Sequence, residues 1–575
     1  MRSIKAGTIP AIAGWAFFLV LVFALDGGQA WAQRRPDIGQ MTREAESARP
    51  APQPPGRESG LTGPDSAAGP VREGGPSMLV RDFQVEGLGD VPVQNISAVL
   101  EPYKNRTLTM GQIEEAAGKV ADQCRVRGYI LAQAYLPPQD ASRSGLITIQ
   151  VVLGSYGEVS LDNKSLVRDS FLRSTLDNRL PPGQLIRQKD LERAVFLIGD
   201  LPGAQIPRLH LAPGPKPGTS NLLVETEPDR RLGGYFLVDN QGSRWTGRYR
   251  FNAGLDVNSI FGIGDKLSVY GLSTEKGHLT NIGLNFSLPL GTNGLRFNAG
   301  YGRVYYELGK EFEILEGKGW SDTFTGGLSF PLIRSSERNV WLNLTAAHKS
   351  LRDEIGLFDD VVKKKIFTVT LDVRHEAWHQ IGGKMLNTNL RAGVTAGKLS
   401  IDDPDVARVN RLGEDTIGSF AYFDLDLSGR LALTANWSLE GSASFQKSLD
   451  RNLDSAEQFL VAGATGVQAY RETVSGDNGY LLKAKVRYRL PELTAGFDHS
   501  LGLFVEHGGW RYEDADWRGP GAKHSDTLSG VGFGYSIFYD PLVMNVQMVR
   551  TLGSWPDDMR YDGRTHIQAS LGVFF

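Results

Sequence analysis

Thr565-His566-Ile567-Gln568-Ala569-Ser570-Leu571-Gly572-Val573-Phe574-Phe575 is the stretch on which the fold turns. Side chains of an extended chain alternate between two faces. Ile567, Ala569, Leu571, Val573 and Phe575 therefore fall on one face, and His566, Gln568, Ser570 and Gly572 on the other. The same period recurs upstream. Leu482, Ala484, Val486, Tyr488 and Leu490 oppose Lys483, Lys485, Arg487 and Arg489, while Phe423, Leu425 and Leu427 oppose Asp424, Asp426 and Ser428. Trp437, Leu439, Ala443 and Phe445 oppose Ser438, Glu440, Ser442 and Ser444. Charge on one face and apolar side chains on the other suit a strand between lipid and a wet lumen. A soluble propeller would instead show a repeat for each blade, which this region lacks.

Segments of this kind number sixteen, starting near residues 233, 244, 264, 278, 294, 320, 338, 362, 385, 419, 437, 479, 498, 527, 541 and 565. Connections after even strands are brief, as at Leu290 to Asn293, His379 to Lys384 and Tyr539-Asp540. After odd strands several are long: 306–319, 351–361, 397–418, 448–478, 509–526 and 552–564. Short periplasmic turns and long outer loops are the expected asymmetry of an outer-membrane barrel. This parity places Phe575 and everything before residue 229 on the periplasmic side. Open edges are intolerable in lipid, so the last strand must pair with the first, near Gly233.

Composition agrees with a barrel. The chain has 575 residues, 68 of them glycine, and only 41% are apolar. Beyond residue 25 no run reaches the ~18 apolar residues that a membrane helix needs. Charge is nearly balanced, with 62 Lys+Arg against 65 Asp+Glu, which points to no nucleic-acid partner. Residues 1–32 read as an export signal: Arg2 and Lys5, an apolar core from Ala11 to Ala24, then Ala30-Trp31-Ala32 as a cleavage site. Residues 33–76, rich in Pro, Gly, Arg and Glu, read as a flexible linker, with room for a short helix around Ile38 to Ala48. Cys124 is the single cysteine, so no internal disulfide forms, and its apolar neighbours suggest a buried helical thiol.

Between linker and barrel one pattern occurs twice, over residues 77–154 and 155–228. In the first copy a strand at Leu79 to Glu86 precedes helices at Val93 to Leu100 and Met110 to Val126, then strands at Tyr129 to Leu136 and Leu146 to Leu153. The second has a strand from Gly157 to Leu161, helices at Leu166 to Leu176 and Gln188 to Ile198, and strands at Gln205 to Leu211 and Asn221 to Thr226. Ile113, Ala116, Ala117 and Val120 give the second helix of the first copy an apolar face.

Two motifs bear on chemistry. His375-Glu376-Ala377-Trp378-His379 matches the zinc-protease pattern, which requires a helix to bring both imidazoles to one ion. On a strand four residues span ~13 Å, so the match is fortuitous. Neither a nucleotide-binding loop nor a nucleophile with a neighbouring base is present, and no enzyme activity or cofactor is expected. The loop 448–478 differs from polar filler. Its second half reads Gly463-Ala464-Thr465-Gly466-Val467-Gln468-Ala469-Tyr470-Arg471, then Ser475-Gly476-Asp477-Asn478-Gly479-Tyr480. Glycines allow tight turns, and Val467 and Tyr470 offer apolar anchors, so the loop is built to fold back and pack.

Taken together, these features resemble the outer-membrane transporters of two-partner secretion, the TpsB family. The family joins two β-α-α-β-β units, called POTRA domains, to a sixteen-stranded barrel (here 229–575). The resemblance covers nearly the whole mature chain. Its most specific element is the sixth outer loop, which in the family carries V-R-G-[FY] or V-R-A-Y followed by S-G-D-x-G. Here the matching residues are Val467-Gln468-Ala469-Tyr470 and Ser475-Gly476-Asp477-Asn478-Gly479, with Gly466 and Arg471 flanking. The family's arginine is Gln468 in this chain. The resemblance implies that the loop enters the lumen and engages an acidic residue of the wall, Glu506 here, through either Gln468 or Arg471.

It further implies an exoprotein, of adhesin or haemolysin type, captured in the periplasm by strand addition and passed through a lumen of mixed charge (Asp372, Arg374, Asp424, Lys483, Lys485, Arg487). Outer-membrane lipid surrounds such a barrel, and periplasmic chaperones and the barrel-assembly machinery serve its biogenesis. An assembly insertase of the same superfamily is the alternative, although insertases usually carry more than two POTRA domains. A passive porin has no need of residues 77–228.

Overall fold

The computed structural model describes residues 36–48, 77–141, 143–518, 523–553 and 563–575. The expected export signal and most of the expected linker lie outside these residues.

The first unit begins with β1 (Ser77–Val80) and β2 (Asp82–Glu86), where the sequence suggested one strand. The two separate because they pair differently: β1 with β3 (Arg106–Thr109), and β2 in parallel with β5 (Leu146–Val152), which is flanked by β4 (Gln133–Tyr135). Helices Val93–Leu100 and Met110–Val126 cover the sheet. The longer one starts on a capping box: Gln112 N–H donates to Thr109 Oγ1, and Thr109 N–H to Gln112 Oε1. Its buried face, Ile113, Ala116, Ala117, Val120 and Cys124, meets Ile147, Ile149 and Val151. Cys124 is fully buried, and burial pushes its thiol pKa up.

The second unit repeats the sheet order, with β6 (Ser155–Asn163) parallel to β8 (Thr219–Thr226) and β7 (Arg208–Pro213) antiparallel to it. Helices Asp169–Arg179 and Gln188–Gly199 pack on one face. Arg187 joins the units, 2.7 Å from Asp90 Oδ2.

The barrel opens with β9 (Leu232–Asp239), β10 (Arg250–Asn258), β11 (Lys266–Thr274), β12 (Leu279–Pro289) and β13 (Arg296–Glu307). It continues through β14 (Gly317–Arg334), β15 (Arg338–Ile355), β16 (Asp360–Ile381), β17 (Lys384–Ile401), β18 (Gly418–Ala432) and β19 (Trp437–Ser448). Two short strands, β20 (Phe459–Leu460) and β21 (Ser475–Gly476), pair inside the next loop. The wall resumes with β22 (Asn478–Arg489), β23 (Asp498–Arg511), β24 (Ser525–Tyr539), β25 (Leu542–Leu552) and β26 (Thr565–Phe574). Each of these sixteen wall strands bonds to its neighbours in a closed ring. The seam is β26 against β9, with Phe574 opposite Tyr235, and Phe575 and Gly234 exchange both main-chain hydrogen bonds.

Faces alternate as the sequence requires. Ile567, Leu571, Leu482, Val486, Leu427, Leu439 and Phe445 are exposed on the outer face, where lipid would cover them. Gln568, Asp372 and Glu506 are buried on the inner face. One strand start is displaced: the second wall strand begins at Arg250, not near 244, because residues 240–249 leave the wall. Trp245 there is buried in an apolar cluster with Ile38, Met41, Leu308 and Leu351. On β14 to β16, runs of 18, 18 and 22 residues carry the wall into what the sequence suggested were long loops.

The second unit is fastened to the periplasmic rim. Arg334 on β14 makes a two-pronged contact with Asp200, at 2.6 and 2.7 Å, and stacks on Phe196 and Trp341. Arg193 donates to the carbonyls of Pro331 and Leu332, and Arg168 N–H to that of Gly262.

Candidate functional site: the lumen and its two inserts

The region expected to be flexible linker holds a helix, Ile38–Ser47, seated inside the barrel. Asp37 caps it, its Oδ1 accepting from Gln40 N–H at 2.9 Å. Ile38, Met41 and Ala45 fall at helical spacing on one side and are buried against wall residues such as Leu279, Val304, Tyr306 and Ile366. Polar contacts fix the rest. Ile38 N–H donates to Asp353 Oδ1 at 3.0 Å, an oxygen that also accepts from Tyr306 OH at 2.5 Å. Thr42 Oγ1 donates to Ser321 Oγ at 2.9 Å, and Asn281 Nδ2 to the carbonyl of Ala45 at 3.3 Å.

The second insert is the loop between β19 and β22. Its first half grips the wall through buried ion pairs: Lys349 with Glu457 at 2.8 Å, and Lys364 with Asp454 at 2.7 Å. Tyr422 OH adds a hydrogen bond to Glu457 Oε2. It also holds the helix: Ser455 Oγ donates to Asp37 Oδ1 at 2.6 Å, Arg43 to the carbonyl of Gln458 at 2.7 Å, and Thr473 Oγ1 to Glu44 Oε2 at 3.1 Å. Helix and loop are thus one hydrogen-bonded assembly.

The residues singled out in the loop's second half come together. Val467 and Tyr470 are buried with Val461 and Ala469 against Leu481, Phe504, Leu528 and Val549. The wall is bare where they rest: a Cβ on Gly530 would lie 2.6 Å from Ala469 Cβ, and one on Gly508 2.8 Å from Val461 Cγ1. Gly466 and Gly479 are equally confined, by the main chain of Val461 and by the Phe459 ring. Gly476 pairs with Phe459 in the β20–β21 ribbon. Asp477 is fully buried and closes the loop's base, accepting from Leu453 N–H, Gln458 Nε2 and Glu513 N–H at 2.9 to 3.0 Å.

At the tip, Glu506 is contacted by Gln468, but through the main chain. Gln468 N–H donates to Glu506 Oε2 at 2.7 Å, and the charge partner is Lys483, 3.1 Å from Oε1. Lys483 also donates to the carbonyls of Thr465 and Gly466. The Gln468 side chain accepts from Gln547 Nε2 at 2.7 Å, while Gln568 Nε2 donates to the main-chain carbonyl of Gln468. Arg471 points elsewhere, toward the carbonyl of Ile567 at 3.5 Å. Neither side chain offered by the sequence reading supplies the charge. Lys483 was visible as an inward-facing cation, but only the fold sets it beside the loop tip.

Across the lumen, Arg391 pairs with Asp372 at 3.0 Å and with Asp424, and Arg487 with Glu440 at 3.2 Å. A cavity of about 410 Å³ remains below the tip, lined by Asn387, Asn389, Glu440, Lys485 and Gln468 among others. His375 and His379 both lie on strand β16, on the wall.

This architecture is that of an outer-membrane β-barrel transporter with periplasmic domains and a filled lumen. The family described as haemolysin secretion/activation protein ShlB/FhaC/HecB matches residues 218–537, more than half of the chain, and the ShlB-type POTRA domain matches 78–154. The chain belongs to that family. The heme/hemopexin transporter protein HuxB of Haemophilus influenzae (strain 86-028NP) is 27% identical over 509 residues, covering 87% of this chain and 88% of that protein. The outer membrane transporter CdiB of Escherichia coli is 24% identical over 492 residues, covering 82% and 78%. The solved structure of CdiB from Escherichia coli superimposes with a TM-score of 0.71 at 22% identity, over 93% of this chain and 97% of that one. CdiB from Acinetobacter baumannii gives 0.63 at 15% identity, over 98% and 97%. The protein is an outer-membrane transporter of two-partner secretion that passes an exoprotein through its barrel.

Proposed function

We propose that the described conformation is the resting, closed state, in which helix Ile38–Ser47 and the loop 448–478 together stopper the lumen, and that export requires the helix to leave. One observation carries this: the helix meets wall and loop through hydrogen bonds and apolar contacts, with no covalent tie among the described residues. Individual hydrogen bonds contribute about 1 kcal/mol net, so the assembly is cooperative yet reversible. The exoprotein, of haemolysin or adhesin type, is captured unfolded by adding a strand to an open sheet edge, β2 or β4 in the first unit and β6 or β7 in the second. Strand addition reads main chain, which suits an extended client. The loop motif Val467, Gln468, Tyr470, Gly476, Asp477 and Gly479 holds the loop while Lys483 and Glu506 set its tip. No reaction is involved. Periplasmic chaperones and the barrel-assembly machinery deliver and insert the chain itself.

A disulfide tether tests the stopper. Thr42 and Ser321 touch through their hydroxyls, so T42C with S321C should cross-link in place. Secretion of a co-expressed exoprotein should stop under oxidising conditions and return with reductant. Unchanged secretion from the fully cross-linked protein would show that the helix need not move.

A further inference from the structure

Strand register assembles a basic field on the outer surface of the barrel that the export function does not use. Lys363-Lys364-Lys365 occurs near the top of β16, and the period of two divides it. Lys364 turns inward to Asp454, whereas Lys363 and Lys365 are exposed outward. Lys363 stands opposite Arg352 on β15, and Lys365 opposite Ser350 and, on the other side, Ser400. One step lower, Phe367 stands between His348 and Lys398. The grid extends to β13 and β14, where Trp320 lies opposite Arg352 and Tyr305, and Arg303 opposite Asp322.

The field sits at a defined height. These strand ends lie away from the rim that carries the periplasmic units, hence on the outer side. Immediately below, Phe324, Leu344, Phe367 and Leu371 are exposed and form the lipid-facing band. Aromatic side chains Tyr301, Tyr305 and Trp320 mark the boundary, as expected at a membrane interface.

Its charges are only partly balanced. Arg352 pairs with Glu354 and lies over the Trp320 ring, and Lys365 pairs with Asp402 at 2.6 Å. Lys363 and Lys398 have no ion-pair partner among the described residues. Arg352 and Lys363 stand directly opposite each other, a like-charge pair that destabilises a sheet, and Glu354 compensates only Arg352.

We propose that this surface, centred on Arg352, Lys363, Lys365 and Lys398, binds the phosphorylated headgroups of outer-leaflet glycolipid. The occupant follows from charge and height. A phosphate borne at the top of the apolar layer meets the lysines, while its acyl chains lie along Phe367, Leu371 and Phe324. Arginine and lysine are the side chains that hold phosphate oxygens, and each basic residue near an anionic membrane surface strengthens binding by about fivefold.

The test uses full-length protein extracted from outer membranes and reconstituted in phospholipid vesicles containing lipid A, dephosphorylated lipid A, or neither. Native mass spectrometry and titration measure the glycolipid retained per barrel. Lipid A should bind, its dephosphorylated form should bind weakly, and K363Q/K365Q/K398Q should lose about fivefold in affinity per lysine. R550Q, on the outer face of β25, should be unaffected. Heat-modifiability verifies folding, and K363Q alone serves if the triple variant does not assemble. Equal retention by wild type and folded variant would overturn the proposal, as would an equal loss in R550Q. Displacement of lipid A by millimolar inorganic phosphate would also overturn it, since the surface would then be a general anion site. Loss of exoprotein release with glycolipid binding intact would assign the surface to a protein instead, and would equally end the proposal.

Discussion

The carboxylate of Glu506 accepts the main-chain N–H of Gln468 at 2.7 Å through one oxygen and lies 3.1 Å from Lys483 Nζ through the other. A wall carboxylate, with a wall lysine already neutralising it, therefore reads the loop's backbone rather than its side chain. The loop is thus seated without a charged side chain at residue 468.

Lys483→Gln should consequently loosen the loop more than any change at residue 468 that leaves the main chain in place. Hydrogen bonds to charged groups contribute about 1.5–3 kcal/mol, so amide exchange across 464–468 should quicken by roughly one to two orders of magnitude. Lys483→Gln combined with Glu506→Gln should recover part of the loss, because no buried charge is then left alone. Exchange mass spectrometry of the detergent-solubilised protein decides it.

Asp477→Asn should release the base of the same loop. The carboxylate accepts three hydrogen bonds in a fully buried site, and an amide must turn one donor toward another. A cost of about 1–3 kcal/mol is expected for the group left unsatisfied. Limited proteolysis should then cut within 449–477, while the barrel keeps its heat-modifiable migration.

Gly530→Val should expel the loop by bulk alone. Even the first carbon of the new side chain meets Ala469 at 2.6 Å, and overpacking typically costs 1–3 kcal/mol. Single-channel conductance in planar bilayers should rise above that of the parent, whereas Gly326→Val, on the outer face of β14 with open space around it and an ordinary backbone, should not change it.

Breaking the joint between the second unit and the rim should uncouple capture from passage. Arg334→Ala removes both prongs to Asp200 and the stacking on Phe196 and Trp341. Secretion should fall at least severalfold with the barrel intact in the outer membrane. Arg334→Lys, which keeps charge but loses the fork, should be intermediate.

Cys124 should resist alkylation in the folded protein and react only on unfolding, since the thiol is buried and its pKa is raised by that burial. Mass-shift labelling in native and denaturing buffer checks this. A quiet native thiol makes the chain a clean background for the tether between residues 42 and 321.

Much of this was legible from local pattern. Period-two alternation carries the wall because each strand faces lipid on one side and water on the other, so strands such as β19 and β26 start where the sequence indicates. The helix Met110–Val126 is equally explicit, with both its cap and its apolar stripe encoded within a few residues. The lumenal helix was barely visible because its partners are remote: Ile38 is held by Asp353, and Thr42 by Ser321. Residues 244–249 were misread as strand because Trp245 looks like a wall residue until the helix it covers is known. Lys483 was one of several inward cations, and only closure of the ring places it beneath residue 468. Gly508 and Gly530 carried no signal, since a bare spot has meaning only with its occupant present.

The divided lysine triplet of β16 also bears on how faithfully the barrel assembles. A slip of one residue would turn Lys364 toward lipid, strand Asp454 without its cation, and thrust Lys363 and Lys365 into the helix seat. The lower part of the same strand would be inverted as well, with Asp372 facing hydrocarbon. Each misregistered product therefore carries several unpaired charges, so this strand proofreads its own alignment, and the three adjacent cations act as the mark that is checked.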